Sequence, residues 1–205
     1  CTAGRCMLSN KENSWEWVVY NGVLEYAIVT NAGAWAWVTT TAKVPSNSWS
    51  HVVWAKSGTS MYFYVNGVLA DTETTGQNIT TTNEAFTVGG RVGTSDRYSG
   101  AMDEFKLWNT ARTAAQIQAD MHAYGDGVGS DLLDDSNLVG YYDFNEGSGS
   151  MVYSHASTAT SASDLVITGG ASYSDVKTID TSTAYTKVSF PRSYITQIGG
   201  WKSPE

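Results

Sequence analysis

Apolar and polar positions alternate with a period of two through the first hundred residues, the mark of half-buried β-strands. "SWEWVVY" puts Trp15, Trp17 and Val19 on one face, and "LEYAIVT" aligns Leu24, Tyr26 and Ile28. Asn21-Gly22 between them predicts a two-residue hairpin, because both central residues of its turn need positive φ. "GAWAWVTT" sets Trp35 and Trp37 together, opposite Ala34, Ala36 and Val38. A second hairpin joins "HVVWAK" to "MYFYVNG", and Asn66-Gly67 turns the chain again. "VLADTET", "AFTVGGR" and "AMDEFKLWN" read as further strands.

The period then changes. "TARTAAQIQADMHAYG" predicts one short helix, with Thr113 and Gln116 as a capping box, Ile117 and Met121 on one face, and Gly125 to stop it. Residues 125–136, "GDGVGSDLLDDS", read as an acidic, Gly-rich linker whose aspartates lack the spacing of an EF-hand loop. Beyond it come "LVGYYDF", a polar stretch, "LVITGG", and two weaker strands, "AYTKVSF" and "SYITQIGGW". Residues 137–205 alternate too little to close a core alone. The expectation is therefore one domain over 1–205, with a main block at 7–124 and displaced strands at 137–205 that complete it.

Composition narrows the function classes. A net charge of -8, with twelve Lys and Arg among 205 residues, argues against a nucleic-acid partner, which needs a basic footprint. No apolar run approaches the ~20 residues that span a bilayer. Eight Trp and twelve Tyr, with Thr, Ser, Gly and Asn filling most of the rest, suit a β-rich protein outside the cell or on its surface. No signal peptide is visible, so an exported chain is expected to be mature or an excised part. Cys1 and Cys6 are expected to close a small disulfide ring, the alternative being two free thiols.

"NSWSHVVWAKSGTSMYFYVNGVLADT" and "YSGAMDEFKLWNTARTAAQIQAD" resemble the laminin-G-like group of concanavalin A-like lectin/glucanase jelly rolls. Trp49 and His51 lead a strand, Tyr64 to Gly67 make its hairpin, Gly100 to Glu104 open the next strand, and Arg112 to Ile117 enter a helix. The resemblance covers most of residues 7–121. It implies an all-β, concanavalin A-like jelly-roll β-sandwich of two antiparallel sheets with one short helix. The order departs from the family's, because the opening features stand at Phe144 to Gly149, Leu165 to Gly170 and Ile195 to Lys202. The domain is then circularly permuted or cut at a displaced boundary of a repeat. Closure within the chain is favoured over completion of a neighbouring subunit.

For function, the resemblance implies a non-catalytic extracellular module that binds polysaccharide or glycoprotein glycans, or serves adhesion. The alternative is a self-assembling filament, surface or virion component joined by strand exchange between copies. No glucanase-type carboxylate motif occurs. Asp71 and Glu73 lie in a Thr-rich turn, alternation points Asp103 and Glu104 to opposite faces, and His51, His122 and His155 are scattered. Carbohydrate candidates are Tyr62 and Tyr64, expected on an exposed face, with Trp35 and Trp37. The tryptophans at 15, 17, 35 and 37 are weighted toward the core, sequence leaving open which face is buried. The resemblance further implies one structural calcium ion, held by Asp103 with Glu146, the alternative being that Asp103 hydrogen-bonds the turn near Glu146. Asn78-Ile79-Thr80 is a glycosylation sequon in an expected loop, usable in a eukaryotic secretory host.

Overall fold

The computed structural model describes residues 4–30, 32–76, 78–80, 82–91, 96–123, 129–167, 189–190 and 200–202. The first four strands, β1 (Arg5–Lys11), β2 (Trp15–Tyr20), β3 (Val23–Val29) and β4 (Trp35–Lys43), join β8 (Phe86–Val88) in one antiparallel sheet, ordered β4-β3-β2-β1-β8. Its β2–β3 turn has φ 50° at Asn21 and 77° at Gly22, the geometry that Asn-Gly provides at low steric cost. A second sheet is built from β5 (Val52–Ser57), β6 (Ser60–Val65) and β7 (Val68–Thr74). Asn66 and Gly67 turn between β6 and β7 at φ 52° and 74°.

The later strands are β9 (Gly100–Asp103), β10 (Phe105–Trp108), β11 (Leu138–Tyr142), β12 (Met151–Val152), β13 (Leu165–Val166), β14 (Ser189–Phe190) and β15 (Gly200–Lys202). β11 pairs antiparallel with β10 of the same chain, Phe105 opposite Tyr142 and Lys106 opposite Tyr141. β14 and β15 both pair with β9, and β12 pairs with β13. The main core draws on both parts of the sequence. Leu24, Tyr26, Ile28, Met61 and Phe63 share it with Tyr142, Phe144 and Val152. Tyr26 stacks on Phe63 at 5.4 Å between ring centroids, and Phe105 lies 5.9 Å from Tyr142.

Helix α1 (Ala114–His122) starts at the expected capping box, the Gln116 N–H donating to the Thr113 hydroxyl at 3.3 Å. It ends at His122 with Ala123 as C-cap, and Gly125 lies outside the described residues. Its buried Ile117 covers Val53, Ala55 and Tyr64 on the β5–β6 hairpin. A second short helix, α2 (Ser130–Leu133), stands where a plain linker was expected. Leu132 and Leu133 explain it, since they pack against Leu138, Tyr141 and Ala156 and bury apolar surface that an extended linker would leave in water. Cys6 is buried and disulfide-bonded, while Cys1 lies outside the described residues.

Candidate functional site

A cleft of about 330 Å³ opens between β5 and β10. Trp15 and Trp54 form part of its wall, edge to face with centroids 5.4 Å apart, and Tyr26 stacks behind Trp54. Trp108 stands on the opposite wall with the Arg112 guanidinium 3.8 Å over its ring. Asn109 and Thr110, both exposed, give the rim hydrogen-bonding groups, and Ile79 adds an apolar edge. Alternation explains why the aromatics gather here. Trp15 and Trp54 point inward from the two sheets near the end of the core, and Trp108 closes β10 just before the chain turns toward α1.

The cleft's cations are largely neutralised from behind. Arg112 donates to both Asp120 carboxylate oxygens at 3.0 Å and to Asp135 at 3.1 Å. Lys106, 1% exposed, donates to Glu104 at 3.3 Å and to the Ala123 carbonyl at 2.8 Å. Burial pulls the Lys106 ammonium down, and the Glu104 carboxylate holds it partly up. Lys56 donates to the Gly58 carbonyl. The wall is thus aromatic, hydrogen-bonding and electrically close to balanced.

The expected carbohydrate residues do not gather at this cleft. Tyr64 is 7% exposed beneath α1, so it offers no ring face to solvent, and Tyr62 is half-buried against the same cluster. The exposed face expected for this pair is covered because α1 folds back onto it, a contact that local alternation does not encode. Trp17 belongs to the core and Trp15 packs beside it, but Trp35 and Trp37 lie half-buried on the other face. Pairing of Trp37 with Ala27 and of Trp35 with Val29 fixes this register. Arg5 lies 4.0 Å over Trp37, and Arg91 lies 5.2 Å over Trp35.

That outer face carries polar groups missed in the sequence. Glu16 and Glu25 sit mid-strand on β2 and β3, 1% and 3% exposed. Glu25 accepts from Arg5 Nε and from the Thr39 hydroxyl, both at 2.6 Å. Glu16 accepts from Asn10 at 3.2 Å and pairs with Arg91 at 2.8 Å. Burial nevertheless pushes the Glu16 carboxyl up to about 7. The available signal was a Glu inside each of two strand patterns, Glu16 between Trp15 and Trp17 and Glu25 between Leu24 and Tyr26. Both carboxylates are committed to ion pairs, which suits a structural role.

Asp103 and Glu104 do not alternate across a strand. Glu104 takes φ 58°, β9 ends at Asp103, and both carboxylates are buried. Glu104 accepts from the Tyr141 hydroxyl at 2.7 Å, and Asp103 accepts from the Glu104 N–H at 3.0 Å. Burial pushes Asp103 well above the usual carboxylate range, and the charges of Glu104 and Asp143 push the same way. Glu146 converges with different partners, Asp143 and His155, their ligand atoms all within 4.8 Å of one another. Calcium takes six or more oxygens. The atoms that meet around Glu146 include an imidazole nitrogen, so this set does not fit calcium.

His51 is buried, and neither ring nitrogen has a hydrogen-bond partner among the described residues. Burial, with Lys106 and His122 nearby, lowers it to about 3, so it packs as a neutral ring. Asn78 is exposed in a non-helical, non-strand segment, next to the cleft residue Ile79.

A family model described as the concanavalin A-like lectin/glucanases superfamily, laminin G type, matches residues 2–118. The chain belongs to this family. The match spans more than half of the sequence and includes every strand of the five-stranded sheet. No curated protein matches the chain. Membership agrees with the mostly antiparallel β architecture and supports a carbohydrate-binding or adhesion-type module in general terms. Among the described residues no helix is long and apolar enough to cross a membrane.

Proposed function

We propose that this domain is a non-catalytic, extracellular carbohydrate-binding module that holds a neutral sugar in the cleft between β5 and β10. The observation that carries this reading is the cleft itself, whose three indoles, Trp15, Trp54 and Trp108, meet an exposed Asn109–Thr110 rim. Sugars present apolar C–H faces to aromatic rings and hydroxyls to polar rims. The paired state of Arg112 and Lys106 favours a neutral ligand over an acidic one, because their charge is already used by Asp120, Asp135 and Glu104. An oxidised Cys6 supports an extracellular setting. Among the described residues, Glu25 is paired with Arg5 and Glu16 with Arg91, which supports a binding role.

A glycan array followed by calorimetry on the full chain tests the proposal. Neutral glycans are expected as hits, and Trp108→Ala and Asn109→Ala should each weaken binding about two- to tenfold, a stacked aromatic or a hydrogen bond each being worth ~0.5–1.5 kcal/mol. Trp35→Ala and Trp37→Ala should leave affinity unchanged. A blank array, or binding lost only in the Trp35 and Trp37 variants, overturns the assignment.

One observation favours a second reading. β5 pairs with β6 and β10 with β11, so among the described strands the cleft is bordered by two strand edges. Such edges accept an added strand. Self-assembly by strand exchange would show as concentration-dependent light scattering alongside a blank array.

A further inference from the structure

We propose that Asp143, Glu146 and His155 form a binding site for one divalent cation of the zinc class, a site separate from the sugar cleft. Their ligand atoms already lie within 4.8 Å of one another, and His155 Nε2 stands 3.1 Å from Asp143 Oδ1. Tetrahedral zinc, with bonds of ~2.0–2.1 Å, holds its ligand atoms about 3.3 Å apart. The His155–Asp143 pair is joined by a hydrogen bond, and an ion would replace its shared proton with little change in the spacing.

The backbone holds these residues in place. Asp143 directly follows β11, and the His155 N–H donates to the Tyr141 carbonyl at 2.8 Å. The Tyr153 N–H donates to Glu146 Oε1 at 2.7 Å. A short, hydrogen-bonded connection thus presents two carboxylates and an imidazole to one point. His155 is 45% exposed, which gives an ion a path from solvent and leaves open coordination positions.

Two carboxylates, Asp143 and Glu146, give this point a negative charge that suits a cation. The imidazole decides which kind, since nitrogen ligands suit zinc and its neighbours while calcium prefers oxygen alone.

The test uses the full chain, stripped with chelator and titrated separately with Zn²⁺ and Ca²⁺ by calorimetry. One Zn²⁺ per chain is expected, bound at least tenfold more tightly than Ca²⁺. His155→Gln and Asp143→Asn should each weaken Zn²⁺ binding more than tenfold without a change in far-UV circular dichroism. Co²⁺ should give a visible absorption band that His155→Gln abolishes. No zinc uptake, uptake indifferent to His155→Gln, or calcium binding as tight as zinc overturns the proposal.

Discussion

The two faces of the five-stranded sheet both hold buried residues, but of different chemistry. The inner face presents Trp17, Val19, Leu24, Tyr26 and Ile28 to Met61 and Phe63 of the opposing sheet. The outer face alternates small apolar residues with ion pairs. Val18 and Ala27 are fully buried between Glu16 and Glu25, whose carboxylates are tied to Arg91 and Arg5. The inner face gains from removing apolar area from water. The outer face gains little net energy from each ion pair, but breaking one pair leaves a buried charge uncompensated. The difference is therefore one of error tolerance: the inner face resists loss of volume, the outer face resists loss of a partner.

The largest effect is expected from the inner face. Phe63→Ala removes a fully buried ring stacked on Tyr26 and should cost about 3–5 kcal/mol, read as a lower urea midpoint at unchanged slope. A loss below ~1 kcal/mol would mean that the two sheets are not packed through this residue.

Next comes the outer face. Arg91→Ala strands the buried Glu16 carboxylate and should cost about 2–3 kcal/mol at pH 8, where that group is charged. Adding Glu16→Gln to Arg91→Ala should recover most of the loss, since a neutral amide needs no cation. Equal stability of the single and double variants would erase the contrast between the faces.

The smallest effect sharpens the comparison through pH. Burial raises the folded Glu16 carboxyl from 4.5 to about 7, so folding favours its protonated form. Its contribution is complete below about pH 4.5 and is lost as pH rises through 7. The stability of the native chain minus that of Glu16→Gln should accordingly fall by on the order of 1–2 kcal/mol between pH 4.5 and 8, Arg91 and partial solvent access holding it to that size. A difference that stays flat across this range would show that Glu16 keeps an ordinary carboxylate.

Much of the fold was legible because its signals are local. Asn21-Gly22 and Asn66-Gly67 specify turns by backbone preference alone, and Thr113 with Gln116 caps α1 within four residues. Alternation grouped Leu24, Tyr26 and Ile28 correctly. What alternation lacks is a sign. It placed Trp35 and Trp37 together but did not say on which face, and only their pairing with β3 settles that. Tyr64 is hidden by a helix that begins fifty residues later in the chain. The cleft was illegible because its walls come from β2, β5, Ile79 and β10, which are far apart in sequence. Asp143, Glu146 and His155 are close in sequence, but they meet through a polar loop that alternation does not describe. Leu132 and Leu133 were visible in the sequence, yet an acidic surround masked them as linker.

The pairing of β10 with β11 also bears on how the molecule is made. A ribosome releases the Phe105–Trp108 strand well before Leu138–Tyr142 has left the exit tunnel. During that interval the nascent chain carries an uncovered strand edge and a half-built core in which Phe105 still lacks the Tyr142 ring. Synthesis speed across the intervening segment, which holds α1 and α2, thus sets how long a sticky intermediate is exposed to other chains. Slow codons placed there would lengthen that exposure, whereas a chaperone that shields extended apolar strands would shorten its effective duration.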